Sequence, residues 1–261
     1  MRAASIADGG CIRIARLEVC QFLCYRFREG KTDGFAGWIL GNTIDGTQAE
    51  YVRIPHADSS LYPIPAGADE AALVMLSDIF PTGLECGVLN GKVEPGSTVV
   101  IVGAGPVGLA AMITAQLYSP SMIIMIDMDQ NRLKVATTLG AHHTIDPSEP
   151  DVVEKVKALT GGKGCDTVIE AVGVPQSFEL CQNLVAPGGV IANVGVHGTK
   201  VDLHLENLWA QNIGKFVVSY FQCILMVRSN HNSSGRYSYN TDAAKARTIR
   251  KIGSFKANYA Q

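Results

Sequence analysis

From residue 98 to residue 194 the chain alternates five short apolar runs with helix-forming stretches, and this alternation restricts it to one broad class of fold. The order is strand 98–102, helix 106–118, strand 122–127, helix 130–139, strand near 143–145 and helix 151–159. Strand 166–170, helix 176–185, the turn Pro187-Gly-Gly189 and strand 190–194 follow. Strands this apolar are buried on both faces, which calls for helices on both sides of a parallel sheet. The expectation is an α/β fold built on a doubly wound parallel (Rossmann) sheet, with residues 215–221 supplying a sixth strand.

The first strand runs directly into Gly103-Ala-Gly105-Pro106-Val107-Gly108 and then a helix. A GxGxxG pattern alone is weak, but here a strand precedes it, a helix follows, and Asp127 closes the second apolar run nineteen residues beyond Gly108. Gly103 permits the tight turn, Gly105 lets backbone approach a pyrophosphate, and Gly108 lets the helix pack close to the sheet. The helix N-terminus turns its free N–H groups and positive dipole end toward the phosphates. Asp127 would accept hydrogen bonds from the adenosine ribose hydroxyls and repel a 2′-phosphate, which favours NAD over NADP. Arg132 either lines the adenosine pocket or is an exposed helical charge.

With 261 residues, 47% of them hydrophobic and 18% charged, the chain is long enough for one complete α/β domain and part of another. A formal charge of -2 hides an asymmetry, because from Gln211 onward eight Lys or Arg face the single acidic residue Asp242. That tail lacks the aromatic interleaving of a nucleic-acid surface and a strong amphipathic repeat, so neither nucleic acid nor membrane is an expected partner. Seven cysteines, odd in number and irregularly spaced, argue against a disulfide framework and for a reducing compartment, with the cytoplasm as default. No apolar run is expected to approach membrane-spanning length.

Residues 1–35 show no clear period, whereas 38–54 read as short strands with Gly turns and 61–65 as an extended exit. A helix is expected over 68–79, broken by Pro81 and resumed over 83–89.

Taken together, residues 37–213 resemble the zinc-dependent medium-chain alcohol dehydrogenases (the medium-chain dehydrogenase/reductase group), in the branch acting on secondary alcohols and polyols. The resemblance rests on Gly46-Thr-Gln-Ala-Glu-Tyr-Val52, Pro55-His-Ala-Asp58, Met75-Leu-Ser-Asp78, Pro81-Thr-Gly83, the Gly103 turn, Leu139-Gly-Ala141, Gly164-Cys-Asp166, Glu170-Ala-Val-Gly173 and Val194-Gly-Val196. It implies an oxidoreductase in which a GroES-like catalytic domain holds zinc opposite the nicotinamide, and the metal acidifies the bound alcohol so that it can release hydride. Carried over by position, Asp78 would be a zinc ligand, Thr82 would contact the nicotinamide, and Val172 and Gly173 would sit by its ribose. Val194 and Val196 would place backbone groups against the carboxamide. Without the resemblance, Asp78 reads as a helix-end residue and the others as strand-end packing.

The same resemblance divides the chain into an unassigned segment (1–35), a partial GroES-like β fragment with connecting helices (36–90), a Rossmann domain (91–221) and a divergent basic tail (222–261). The family's further zinc ligands, a Cys and the His of a Gly-His-Glu segment, have no counterpart in this sequence. Nor do Cys11, Cys20 and Cys24 match the C-x2-C-x2-C-x7-C of its structural zinc lobe. Three readings follow. One is a dehydrogenase with impaired metal chemistry. Another is a non-catalytic NAD-binding module that pairs with a full-length relative, or with its own copy, through the sheet edge at 200–221. The third, a zinc-free NADPH-preferring reductase of the same superfamily, is disfavoured by Asp78 and Asp127.

Overall fold

The structure, a computed structural model, describes residues 13–15, 45, 61–63, 67–76, 78–213 and 215–218. For 13–15, 61–63, 70 and 215–218 it describes the backbone alone. The chain divides into two compact units, Met1–Asp78 with Phe221–Gln261, and Ile79–Tyr220. In the first unit β1 (Arg13–Ala15) pairs antiparallel with β2 (Leu61–Pro63), Ile14 opposite Tyr62. The sequence had shown no strand at β1. Helix α1 (Glu70–Leu73) follows, capped by the Asp69 carboxyl, which accepts from Ala71 N–H at 3.1 Å, and passes into a 3-10 turn over Val74–Leu76. Most of the strands read over 38–54, the thiols at 11, 20, 24 and 223, and the basic tail lie outside the described residues.

The second unit contains α2 (Ile79–Thr82), a π-helical turn (Gly83–Leu89), β3 (Thr98–Val102), α3 (Pro106–Ala115), β4 (Met122–Ile126), α4 (Gln130–Thr138) and β5 (His143–Ile145). It continues with α5 (Val152–Leu159), β6 (Cys165–Glu170), α6 (Pro175–Leu184), β7 (Val185–Asn193), α7 (Leu205–Leu208) and β8 (Lys215–Val218). The six strands β3 to β8 form one parallel sheet in the order β5-β4-β3-β6-β7-β8. The strand order reverses direction beside β3, and in open α/β sheets ligands bind at such a crevice, outside the carboxyl ends of the strands.

Alternate strand residues serve the two faces, since side chains in a strand have a period of two. Val100, Val102, Ile124, Ile126, Val168 and Ile191 form one buried cluster with Val156 of α5 and Phe178, Cys181 and Leu184 of α6. On the opposite face α3 is buried nearly all round, at Leu109, Ala110, Ala111, Met112, Thr114 and Ala115, because α2 and the π-helical turn cover it. The close approach depends on Gly83, where an added Cβ would stand 2.6 Å from the Ala111 nitrogen.

Two local expectations need correction. Pro81 does not break the helix: it occupies the first turn of α2, where its N–H would have no intrahelical partner, and the chain runs on into the π-helical turn. Nor does the Pro187-Gly-Gly189 turn stand ahead of the fifth strand. β7 already opens at Val185, and residues 186–189 bulge out opposite the single residue Asp166, with Gly188 at φ +78°. At this end of the sheet the Asp166 carboxyl accepts from both the N–H and the hydroxyl of Thr98 at 2.8 Å, and Asp166 N–H donates back to the Thr98 hydroxyl at 3.1 Å.

Among the described residues one stretch, Ala71–Leu89, is long and apolar enough to cross a membrane by length and composition, which the sequence reading had passed over. Its final seven residues form the π-helical turn, in which Gly83, Glu85, Cys86, Gly87 and Val88 are buried.

Candidate dinucleotide-binding site

The turn after β3 is held by backbone. Gly103 sits at φ +104°, which favours glycine, and its N–H donates to the carbonyl of Ile126 on the neighbouring strand at 2.8 Å. Gly105 is the extended N-cap of α3, Pro106 occupies the first helical position, and the Gly105 carbonyl accepts from Leu109 N–H at 2.9 Å. The three glycines have different surroundings. A Cβ on Gly103 would stand 2.8 Å from Val172 Cγ2, and one on Gly108 would overlap the carbonyl of Gly103. One on Gly105 would meet nothing within 4 Å. The first and third glycines close the turn and the second opens onto free space at a helix N-terminus, where an anion is favoured. Val107 is half-buried in the first turn of α3.

Asp127 follows β4 directly and is 9% exposed. Its Oδ2 accepts from Ala104 N–H at 2.7 Å and its Oδ1 from Asp129 N–H at 2.8 Å. Each oxygen keeps a second lone pair for a ligand hydroxyl. Arg132, on the first turn of α4, brings Nη1 to 3.7 Å from Asp127 Oδ2 and Nε to 3.8 Å from Asp129 Oδ2, with 54% of its side chain exposed. Asp129 is also the N-cap of α4, accepting from Asn131 N–H at 2.8 Å.

Further along the same strand ends, Val172 and Val196 are exposed, whereas Gly173 and Val194 are buried. Gly173 sits at φ +88°, and a Cβ there would stand 2.5 Å from the carbonyl oxygen of Val196, so the loops after β6 and β7 meet backbone to backbone. Thr82 is half-buried at the end of α2. Asp78 is an exposed turn residue immediately ahead of α2. Among the described residues no group of three or more His, Cys, Asp or Glu stands together as a metal centre requires, so these residues alone do not fit a zinc ion.

The sequence marks Glu170 only as part of a family motif and assigns no site role to it, Ser177, Asn193 or His197. Glu170 is fully buried, and its Oε1 accepts from Val172 N–H at 3.0 Å, Gly173 N–H at 2.9 Å and the Ser177 hydroxyl at 2.6 Å. A charged residue closing an apolar strand was the available signal, because such a group is almost never fully buried unless paired. The thiols of Cys165 and Cys181 are buried as well. Burial, with the nearby charge of Asp166, pushes Cys165 up to about 12. Burial, then the charge of Glu170, holds Cys181 well above the ordinary thiol range.

A glycine turn opening onto a helix N-terminus, a carboxyl closing the adjacent strand, and a switch point between them define a Rossmann-type dinucleotide-binding domain. Residues 106–223 match the zinc-binding dehydrogenase family model. The chain is 38% identical to an alcohol dehydrogenase of Cupriavidus necator over 188 residues, 72% of this chain and 51% of that protein. Its fold matches the apo form of zinc dependent alcohol dehydrogenase 2 from Streptococcus pneumonia with a TM-score of 0.71 and 38% identity, over 97% of this chain and 67% of that one. A zinc-binding dehydrogenase from Sinorhizobium meliloti bound to NADP is 25% identical with a TM-score of 0.67, over 82% of this chain and 62% of that one. The chain belongs to the zinc-dependent medium-chain alcohol dehydrogenase family, and it spans about half the length of the curated relatives it matches.

Proposed function

We propose that this chain is the cofactor-binding portion of an oxidoreductase that moves hydride between a secondary alcohol and NAD. The observation that carries the reading is the open space at Gly105, set between the closed glycines 103 and 108 and beside the Asp127 carboxyl. Gly103, Gly105, Pro106, Val107 and Gly108 would hold the pyrophosphate, and Asp127 the adenosine ribose. Thr82, Val172, Gly173, Val194 and Val196 would flank the nicotinamide, which when bound exchanges hydride at its C4. Asp78 would be a zinc ligand only by the family's pattern, because among the described residues no group of three or more metal-ligating side chains stands together.

The choice of NAD rests on Asp127, whose charge opposes a 2′-phosphate. Arg132 pulls the other way, and a relative of this fold carries NADP. Titration with NADH and NADPH decides: NADH binds more tightly, and Asp127→Gly narrows the gap. Equal affinities in the unsubstituted chain would reject the assignment. Oxidation of a panel of secondary alcohols and polyols, with zinc supplied, then tests activity, and turnover abolished by a chelator supports the dehydrogenase.

The second reading, a cofactor-binding module that pairs through its sheet edge, is favoured by one feature. Leu203, Leu205 and Trp209, on the segment leading to β8, are 40%, 56% and 76% exposed. Cytoplasmic residence is in keeping with the buried thiols of Cys165 and Cys181.

A further inference from the structure

We infer that Glu170 is a positioning residue for the nicotinamide half of the cofactor, clamping the two loops that would flank it; this rests on the dinucleotide reading above. Its backbone carbonyl accepts from Val194 N–H at 2.8 Å and Gly195 N–H at 3.0 Å, which fixes the loop after β7. Its side chain, through Oε1, gathers Val172 N–H, Gly173 N–H and the Ser177 hydroxyl, which fixes the loop after β6. One residue therefore ties both loops, and each loop presents an exposed valine, Val172 on one and Val196 on the other.

The remaining side-chain oxygen, Oε2, is buried without a hydrogen-bond partner. It is directed at Gly195, where an added Cβ would overlap it, and at His197, whose Nε2 lies 3.5 Å away. That Nε2 is also 2.8 Å from Asn193 Oδ1, while Asn193 Nδ2 donates to the Gly195 carbonyl at 2.9 Å. The Asn193 amide is thus oriented with its oxygen toward the ring. Phe178 closes the ring from the side, edge to face at 5.8 Å. The second loop is braced by this shelf, with Glu170 beneath both.

The Gly103 turn and Asp127 make their hydrogen bonds to Ile126, Ala104 and Asp129 rather than to the Glu170 side chain, although Val172 lies against Gly103, so the loss is expected to be greatest at the nicotinamide end. A general contribution to the fold would instead weaken both ends of the cofactor alike. The test compares NADH with ADP-ribose, which keeps the pyrophosphate and adenosine but lacks the nicotinamide, on the full 261-residue chain. Glu170→Ala weakens NADH about tenfold or more and leaves ADP-ribose within about twofold. Glu170→Gln, whose amide oxygen can take the place of Oε1, restores NADH binding. Should Glu170→Ala fail to fold, Ser177→Ala removes one of the three donors and gives the same selective loss at smaller size.

Equal weakening of both ligands, no change in either, or equal affinity of the unsubstituted chain for NADH and ADP-ribose overturns the clamp. An unsubstituted chain that binds neither ligand instead rejects the dinucleotide site itself.

Discussion

Gly105 and Gly108 stand three residues apart in one turn, yet a side chain added at each meets opposite surroundings. At Gly105 the backbone is extended, an ordinary conformation for any residue, and the space beyond is open. Gly105→Val therefore leaves stability within about 1 kcal/mol, as open sites do, while abolishing NADH binding. Gly108→Val drives a side chain into the carbonyl of Gly103 and loses the fold, which circular dichroism against temperature reports. A stable Gly105→Val chain that still binds NADH would move the cofactor elsewhere.

The buried Cys165 gives a pH prediction with a definite sign. Its thiol ionises at about 12 in the folded chain and near 9.0 ordinarily, so between those values the unfolded chain has lost a proton that the folded chain keeps. Its contribution to stability is complete below pH 9, and falls as pH rises through that window. The urea midpoint should drop above pH 9, and Cys165→Ala should flatten the decline. In the native state at pH 8, peptides containing Cys165 and Cys181 should stay unlabelled by a thiol reagent until denaturant is added.

At the scale of elements, strands buried on both faces were legible because burial makes them continuous apolar runs, as in β3 and β4. Pro81 was misread because a proline is a breaker only where its N–H is needed, and nothing in the sequence says on which turn it will fall. Pro81→Ala is accordingly a small change. It lowers stability by less than about 1 kcal/mol through the freer unfolded chain, and denaturant titration should show neither a large loss nor a gain. The bulge at residues 186–189 was seen as a turn but not as part of β7, since its place depends on the register against β6. The glycine turn after β3 was readable as a turn because its spacing is local, from Gly103 to Asp127. The Glu170 shelf was not, because it joins residues from β6, α6, β7 and the loop beyond, which only tertiary packing brings together.

For the whole molecule, the proposed function makes the described residues a cofactor platform, and on its pairing reading the exposed Leu205 and Trp209 beside the β8 end of the sheet would offer a contact for a second copy. Light scattering should show a dimer, and the double substitution Leu205→Glu with Trp209→Glu should yield a monomer with unaltered NADH affinity. A chain that remains the same size after both changes pairs elsewhere or not at all.

The bond from Ala104 N–H to Asp127 has a consequence for ancestry. On the proposed function a single side chain would both discriminate the ribose and brace the loop that would grip the phosphates, so a lineage shifting toward the phosphorylated cofactor could not alter codon 127 in isolation without slackening its hold on either form. Such shifts should arrive as linked replacements, one at the end of β4 and one in the loop after β3, and descendants carrying only the first should be poor binders of both cofactors.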